Sequence, residues 1–151
     1  MARSRVIVIL SALAVLAAAS SATAGSKRTV LLIPFATNQA GFDTSVSLAN
    51  TTADPFGDKT AAGACTFTYF SQSGASPAPQ TSTEVGAGRT LVFVLSTGGS
   101  NGIQGRPAFQ GYIIVDCAFP HAIATAYVAS GPGFQNAASV PVTEIKAKDR
   151  K

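Results

Sequence analysis

Hydrophobic and polar residues alternate in short runs along this chain. The strongest run is 109–129, FQGYIIVDCAFPHAIATAYVA. Side chains alternate faces along a strand. Phe109, Ile113, Val115, Cys117 and Phe119 therefore share one face, with Gly111 among them. Gln110, Tyr112, Ile114, Asp116 and Ala118 share the other. The pattern predicts two strands separated by a Pro-His turn, with His121 at a hairpin tip. Residues 42–50 alternate as cleanly, with Phe42, Thr44, Val46 and Leu48 on one side. In 65–70, Cys65, Phe67 and Tyr69 oppose Thr66, Thr68 and Phe70. In 89–96, Leu91, Phe93 and Leu95 form an apolar face.

Residues 29–36, TVLLIPFA, are apolar on both faces. That predicts a fully buried or edge strand, with Pro34 favouring an edge or a bulge. Residues 81–85 make a short edge strand, and 140–145 a last one. Turn signals separate the runs: Asn38 to Gly41, the loop 51–64, the proline-containing loop 71–80, Gly86-Ala87-Gly88, and Ser130-Gly131-Pro132-Gly133. The glycine-rich stretch 97–107 is expected to be the most flexible. The count is about seven short strands at roughly ten-residue spacing. No stretch beyond the N-terminal region has a helical period. The fold class expected is all-β, an antiparallel immunoglobulin-like β-sandwich. With no tryptophan to pack on a bridge, the antibody pattern itself is not reproduced.

Composition adds a compartment. Arg3 and Arg5 precede an apolar run over 6–19, followed by Ala22-Thr23-Ala24. This order is that of a cleavable secretory leader, and the run is too short to span a bilayer alone. The division expected is a signal peptide at 1–24, a sandwich domain at 25–140 and a basic tail at 141–151. Secretion or periplasmic residence follows, with no membrane span in the mature chain. Two cysteines in such a chain point to a disulfide, and Cys65–Cys117 is the one pairing available within it. Facing inward from separate strands, they could staple two sheets or two neighbouring strands of one. A metal-ligand pair would need further ligands nearby. The formal charge of +4 comes from the leader and the tail, so nucleic acid is not an expected partner. The tail KAKDRK could touch an anionic surface. Charged residues are only 12%, and Ser, Thr and Gly supply the polarity instead, which suits a hydroxyl-rich β surface.

Three segments, IPFATNQAGFDTSVSLANTTADPFG, GACTFTYF and AFQGYIIVDCAFPHAIATAYVAS, carry a family likeness. They resemble a group of secreted bacterial proteins of uncharacterised activity. That group has an N-Q-x-G-F-D-T…N-T-x-x-D-P-F-G block, a G-x-C strand and an F-Q-G-Y-I-I…C-x-F strand. The resemblance covers Ile33 to about Ser130. It implies export, a β-rich fold and a paired Cys65 and Cys117, and no activity.

Candidate chemistry is thin. Asn50, Asp54 and Asp58 put oxygen ligands around one loop, a weak calcium candidate. The bland alternative is an Asp-Pro turn with Phe56 tucked inward. His121 is the only histidine, with Asp116 five positions earlier. A Ser-His-Asp hydrolase needs all three in contact, and no G-x-S-x-G elbow is present. The Gly86-x-Gly88 and 97–105 glycines read as hairpin turns, not phosphate loops. No catalytic residue, cofactor or firm metal site is therefore expected. The function expected is a non-enzymatic exported module with a structural, adhesive or self-assembling role, the two-sided strand 29–36 being able to pair with a neighbour's sheet edge. The alternative is a carbohydrate or calcium-dependent binding module, favoured if two of Tyr69, Tyr112 and Tyr127 share an exposed flat face. A hydrolase ranks third.

Overall fold

The structure, a computed structural model, describes residues 27–55, 59–130 and 136–146. The expected leader at 1–24, Asp58 with Phe56 and Gly57, the 131–133 breaker and the tail from 147 onward lie outside those residues. The strands are β1 (Thr29–Thr37), β2 (Phe42–Asn50), β3 (Cys65–Ser71), β4 (Gln80–Thr81), β5 (Thr90–Val94), β6 (Gly98–Gly99), β7 (Gln110–Cys117), β8 (Ala122–Ser130), β9 (Asn136–Val140) and β10 (Thr143–Glu144). They form two five-stranded sheets, β10-β1-β7-β3-β4 and β6-β5-β2-β8-β9. Every strand pairing is antiparallel. The sheets pack face to face as a β-sandwich, and no helix occurs among the described residues.

The period-two pattern decides what lies between the sheets. Leu31 and Ile33 of β1, Phe67 and Tyr69 of β3, and Ile113 and Val115 of β7 face Val46 and Leu48 of β2 and Leu91 and Phe93 of β5, all buried. The rings of Phe67 and Phe93 meet edge to face at 5.1 Å, one from each sheet. Burying a side chain of this size stabilises by about 1.5–3 kcal/mol relative to exposure.

Cys65 and Cys117 are bonded and sit directly opposite each other on β3 and β7. The bridge thus joins neighbouring strands of one sheet. The antibody bridge joins two sheets, so the likeness to that fold is one of architecture.

Several boundaries move. Residues 109–129 hold two strands, but not a hairpin: β7 lies in one sheet and β8 in the other. β7 already has β1 and β3 on its two sides, so no edge is left for β8. The chain changes sheet at His121, whose φ of 56° turns it. The His121 carbonyl is held there by Thr51 N (3.2 Å) and Thr51 Oγ1 (2.8 Å). The short strand expected at 81–85 forms instead at Gln80–Thr81, while Val85 makes a single bridge to Gly63. The C-terminal strand is two pieces, β9 and β10, with 141–142 crossing between sheets. Thr143 and Glu144, within the last strand expected at 140–145 although past the domain end drawn at 140, pair with Leu32 and Leu31. β9, NAASV, has no apolar alternation to announce it; its pairing to β8 forms it.

The stretch 97–107 is knitted rather than loose. It contains β6, buries Ile103, and closes through Gly99 N to Ile103 O (2.8 Å) and Arg106 N to Leu95 O (2.7 Å). Gly98 takes φ of 82°, and a Cβ there would stand 2.4 Å from Ile103 O. Pro34 meets its expectation: the β1–β7 register shifts between Ile33 and Ala36.

The bridge spans 52 positions. The chain-entropy account gives its loss a cost of about 4 kcal/mol. The Cys65→Ala/Cys117→Ala double variant should lose that much in urea unfolding.

Candidate functional site: an exposed aromatic strip

The strip arises on the outer face of the β10-β1-β7-β3-β4 sheet. Residues that alternate with the core point outward there. Phe70 of β3 lies opposite Tyr112 of β7. Their rings stack at 4.6 Å and 5°, a favourable cross-strand aromatic pair. On the other side of β7, the β1 bulge carries Pro34 and Phe35 outward, and Phe35 is 41% exposed. Gly111 makes the floor between them. A Cβ there would stand 1.9 Å from Phe70 O, so only glycine lets β3 and β7 approach at this point. The result is a surface groove of about 300 Å³ lined by Pro34, Phe35, Phe70, Ser71, Gln72, Gly111 and Tyr112. Phe35 is also one wall of a second groove of about 300 Å³, which Phe42 and Val128 complete.

The rim is amide and hydroxyl. Gln110 Nε2 donates to Gln72 Oε1 (2.7 Å) and Gln39 Nε2 to Ala108 O (2.8 Å). Below the strip, Leu32, Ile114 and Thr68 form a half-buried row across β1, β7 and β3. The next row carries Asp116, whose carboxylate takes both Arg28 Nε and Arg28 Nη2 at 3.0 Å. That charge is matched locally, so the strip sits on a nearly neutral face. Aromatic rings clustered on a sheet offer large apolar area at little rotamer cost, the chemistry that contact surfaces use.

The expected sites fare differently. Asn50 is 1% exposed and spent on the fold. Its Nδ2 donates to Ala61 O (2.8 Å) and Val85 O (2.9 Å), and its Oδ1 accepts from Thr52 N (3.1 Å) and faces Thr52 Oγ1 (2.7 Å). It cannot also serve as an outward calcium ligand. Asp54 is exposed, and Asp58 lies outside the described residues. No group of three metal-ligating side chains occurs among the described residues. The His121 imidazole is exposed, and Asp116 is held by Arg28; the structure does not join them. Gly86 to Gly88 leads into β5 through Arg89 N to Gly86 O (3.0 Å), a crossing turn rather than a hairpin.

The three tyrosines do not share a face. Tyr69 is buried, Tyr112 is on one outer face and Tyr127 on the other. Sequence reasoning missed the strip because it looked for tyrosine pairs. The outward positions Phe70 and Tyr112 were legible singly; their pairing, and the bulge that swings Phe35 to them, are tertiary.

Tyr69 packs against Phe109 at 5.5 Å and lies under Arg106, whose Cζ is 5.3 Å from the ring centre. Gln80 Nε2 donates to its hydroxyl at 3.1 Å. Burial raises its pKa above the ordinary 10.0, with Arg106 and Gln80 opposing.

Asn50 and Tyr69 can each be tested in solution. Asn50→Ala takes one donor each from Ala61 O and Val85 O, which keep Thr52 Oγ1 (2.9 Å) and Gly63 N (3.4 Å), and it strips the buried Thr52 N of its acceptor. It should cost about 1–3 kcal/mol in chemical unfolding. Calcium at millimolar concentration should leave the melting temperature unchanged. For Tyr69, the folded chain keeps its phenol proton at pH values where the unfolded chain has lost it. Its contribution is complete below pH 10 and falls as pH rises past 10. Stability measured from about pH 9 to 11 should therefore decline more steeply in the parent than in Tyr69→Phe.

Set beside known proteins, the chain matches no family model, no curated protein and no solved structure.

Proposed function

We propose that this protein is a non-enzymatic β-sandwich that works by surface contact in the cell envelope or outside the cell. Its role on this reading is structural, adhesive or self-assembling, and its leader at 1–24 directs export. The observation that carries the reading is the strip of exposed Phe35 and Tyr112 together with half-buried Phe70, on a sheet face where Asp116 is already paired with Arg28. The Phe70–Tyr112 stack supports the sheet by itself, but the exposed Phe35 and the open side of Tyr112 add clustered apolar area that a contact surface uses. The Cys65–Cys117 bond supports an oxidising compartment. Among the described residues no helix is long and apolar enough to cross a membrane. The likeness to secreted bacterial proteins, stated from the sequence, points the same way.

A second reading takes support from the groove beside the stacked Phe70–Tyr112 pair, which has an amide rim at Gln72 and Gln110. A sugar ring is the kind of flat ligand such a site would hold. The contact reading ranks above it because the strip continues past Phe35 to Phe42.

The test replaces Phe35→Ser and Tyr112→Ser together. Both are at least 40% exposed, so stability should change by less than about 1 kcal/mol. The share of protein retained on the envelope or on insoluble extracellular material should drop several-fold. Equal retention of parent and variant would contradict the reading.

A further inference from the structure

The four sheet edges are not alike. β4, β6 and β10 end three of them with two residues each, whereas β9 ends the fourth with five. Natural sheets blunt their edges with short strands, charge, proline or bulges. Three edges here use the first device. β9, Asn136–Val140, uses none: NAASV has no charge and no proline, and its register with β8 runs unbroken from Ser130↔Asn136 to Ala126↔Val140. Alternate residues of an edge strand turn their N–H and C=O groups away from the neighbour. Among the described residues, no strand other than β8 pairs with β9, and no other backbone hydrogen bond reaches 136–140.

We propose that β9 pairs antiparallel with β9 of a second copy, joining the β6-β5-β2-β8-β9 sheets of two molecules across a two-fold axis. The partner is fixed by complementarity. An antiparallel strand about a two-fold axis presents to itself the donors and acceptors it lacks. Ala137, Ala138 and Ser139 are small and exposed, so two such strands approach without collision. No like charges on the strand oppose one another. The pairing prolongs the hydrogen-bonded ladder that β8 and β9 already make. The edge expected to self-associate, β1, is the second strand of its sheet and is covered at Leu31 and Leu32 by β10. This inference rests on the self-assembling part of the proposed function and names its partner. Phe35, Phe70 and Tyr112 belong to β1, β3 and β7 of the other sheet, so the pairing and the contact role of those rings can fail separately.

The experiment is sedimentation equilibrium on the chain from Gly25 onward, across micromolar to millimolar concentration. A monomer–dimer equilibrium is expected. Ala137→Glu and Ala138→Glu, one on each face of β9, each bring like charges together in the pair and should weaken the dimer by about tenfold or more. Thr81→Glu on the two-residue β4 edge, and Phe35→Ser/Tyr112→Ser on the strip, should leave it intact. A parent that stays monomeric throughout, a dimer indifferent to both glutamates, or one broken by Thr81→Glu would overturn the proposal. Should the glutamate variants not fold, amide exchange of the parent decides. Slowing across 136–140 with rising concentration supports the pairing, and exchange independent of concentration overturns it.

Discussion

The register between β3 and β7 is the constraint on which the rest depends. With Cys65 opposite Cys117, Phe67 falls opposite Val115, Tyr69 opposite Ile113, and Phe70 opposite Tyr112. The covalent bond holds that register. A slip of one residue would send every inward side chain of β7 to solvent and bring Tyr112 and Asp116 inside. The same pairing therefore builds the core on one face and the aromatic stack on the other. Fold and contact surface are two sides of one ladder.

Hydroxyl and amide groups fasten the two sheets at their margins. Thr44 Oγ1 of β2 donates to Thr37 O of β1 (2.8 Å) and accepts from Thr37 N (2.8 Å). Thr29 Oγ1 of β1 accepts from Ala122 N of β8 (3.2 Å). Asn50, at the end of β2, holds the carbonyls of Ala61 and Val85 on either side of β3 and β4. Each of these residues is nearly fully buried. A buried polar group with its partners in place fixes one arrangement, because any other leaves it unsatisfied. The abundance of threonine is thus partly internal, and not only the surface feature that composition suggests. Asn50-Thr51-Thr52 also has the Asn-x-Thr pattern of a glycosylation acceptor, but its asparagine amide is inside the fold and already bonded.

Much of this was legible because a period of two is unambiguous. Strands β2, β3, β5, β7 and β8 fall where alternation predicts them, β1 falls on the continuous apolar run 29–36, and the inward sets of β3, β5 and β7 are the buried ones. The bulge at Pro34 follows from a ring that cannot donate to a ladder. What could not be read was pairing at a distance. The sequence left open whether the cysteines join two sheets or one. It could not tell that β7 is flanked on both sides, which forces β8 across the sandwich. β9 has no hydrophobic signature, being made of small residues that β8 recruits. The site was obscured for the same reason. Asn50 looks like a ligand when its partners are unknown, and Phe35, Phe70 and Tyr112 look like scattered aromatics until β7 brings them side by side.

The proposed contact role puts one outer face against the protein's surroundings and leaves the opposite face free. Hydroxyl-radical footprinting of the protein in place on its native envelope or extracellular material tests this directly. Phe35, Phe70 and Tyr112 should be shielded relative to the free protein, while Tyr127, on the other sheet, stays as reactive as before. Shielding of Tyr127 with Tyr112 and Phe35 unprotected would contradict it.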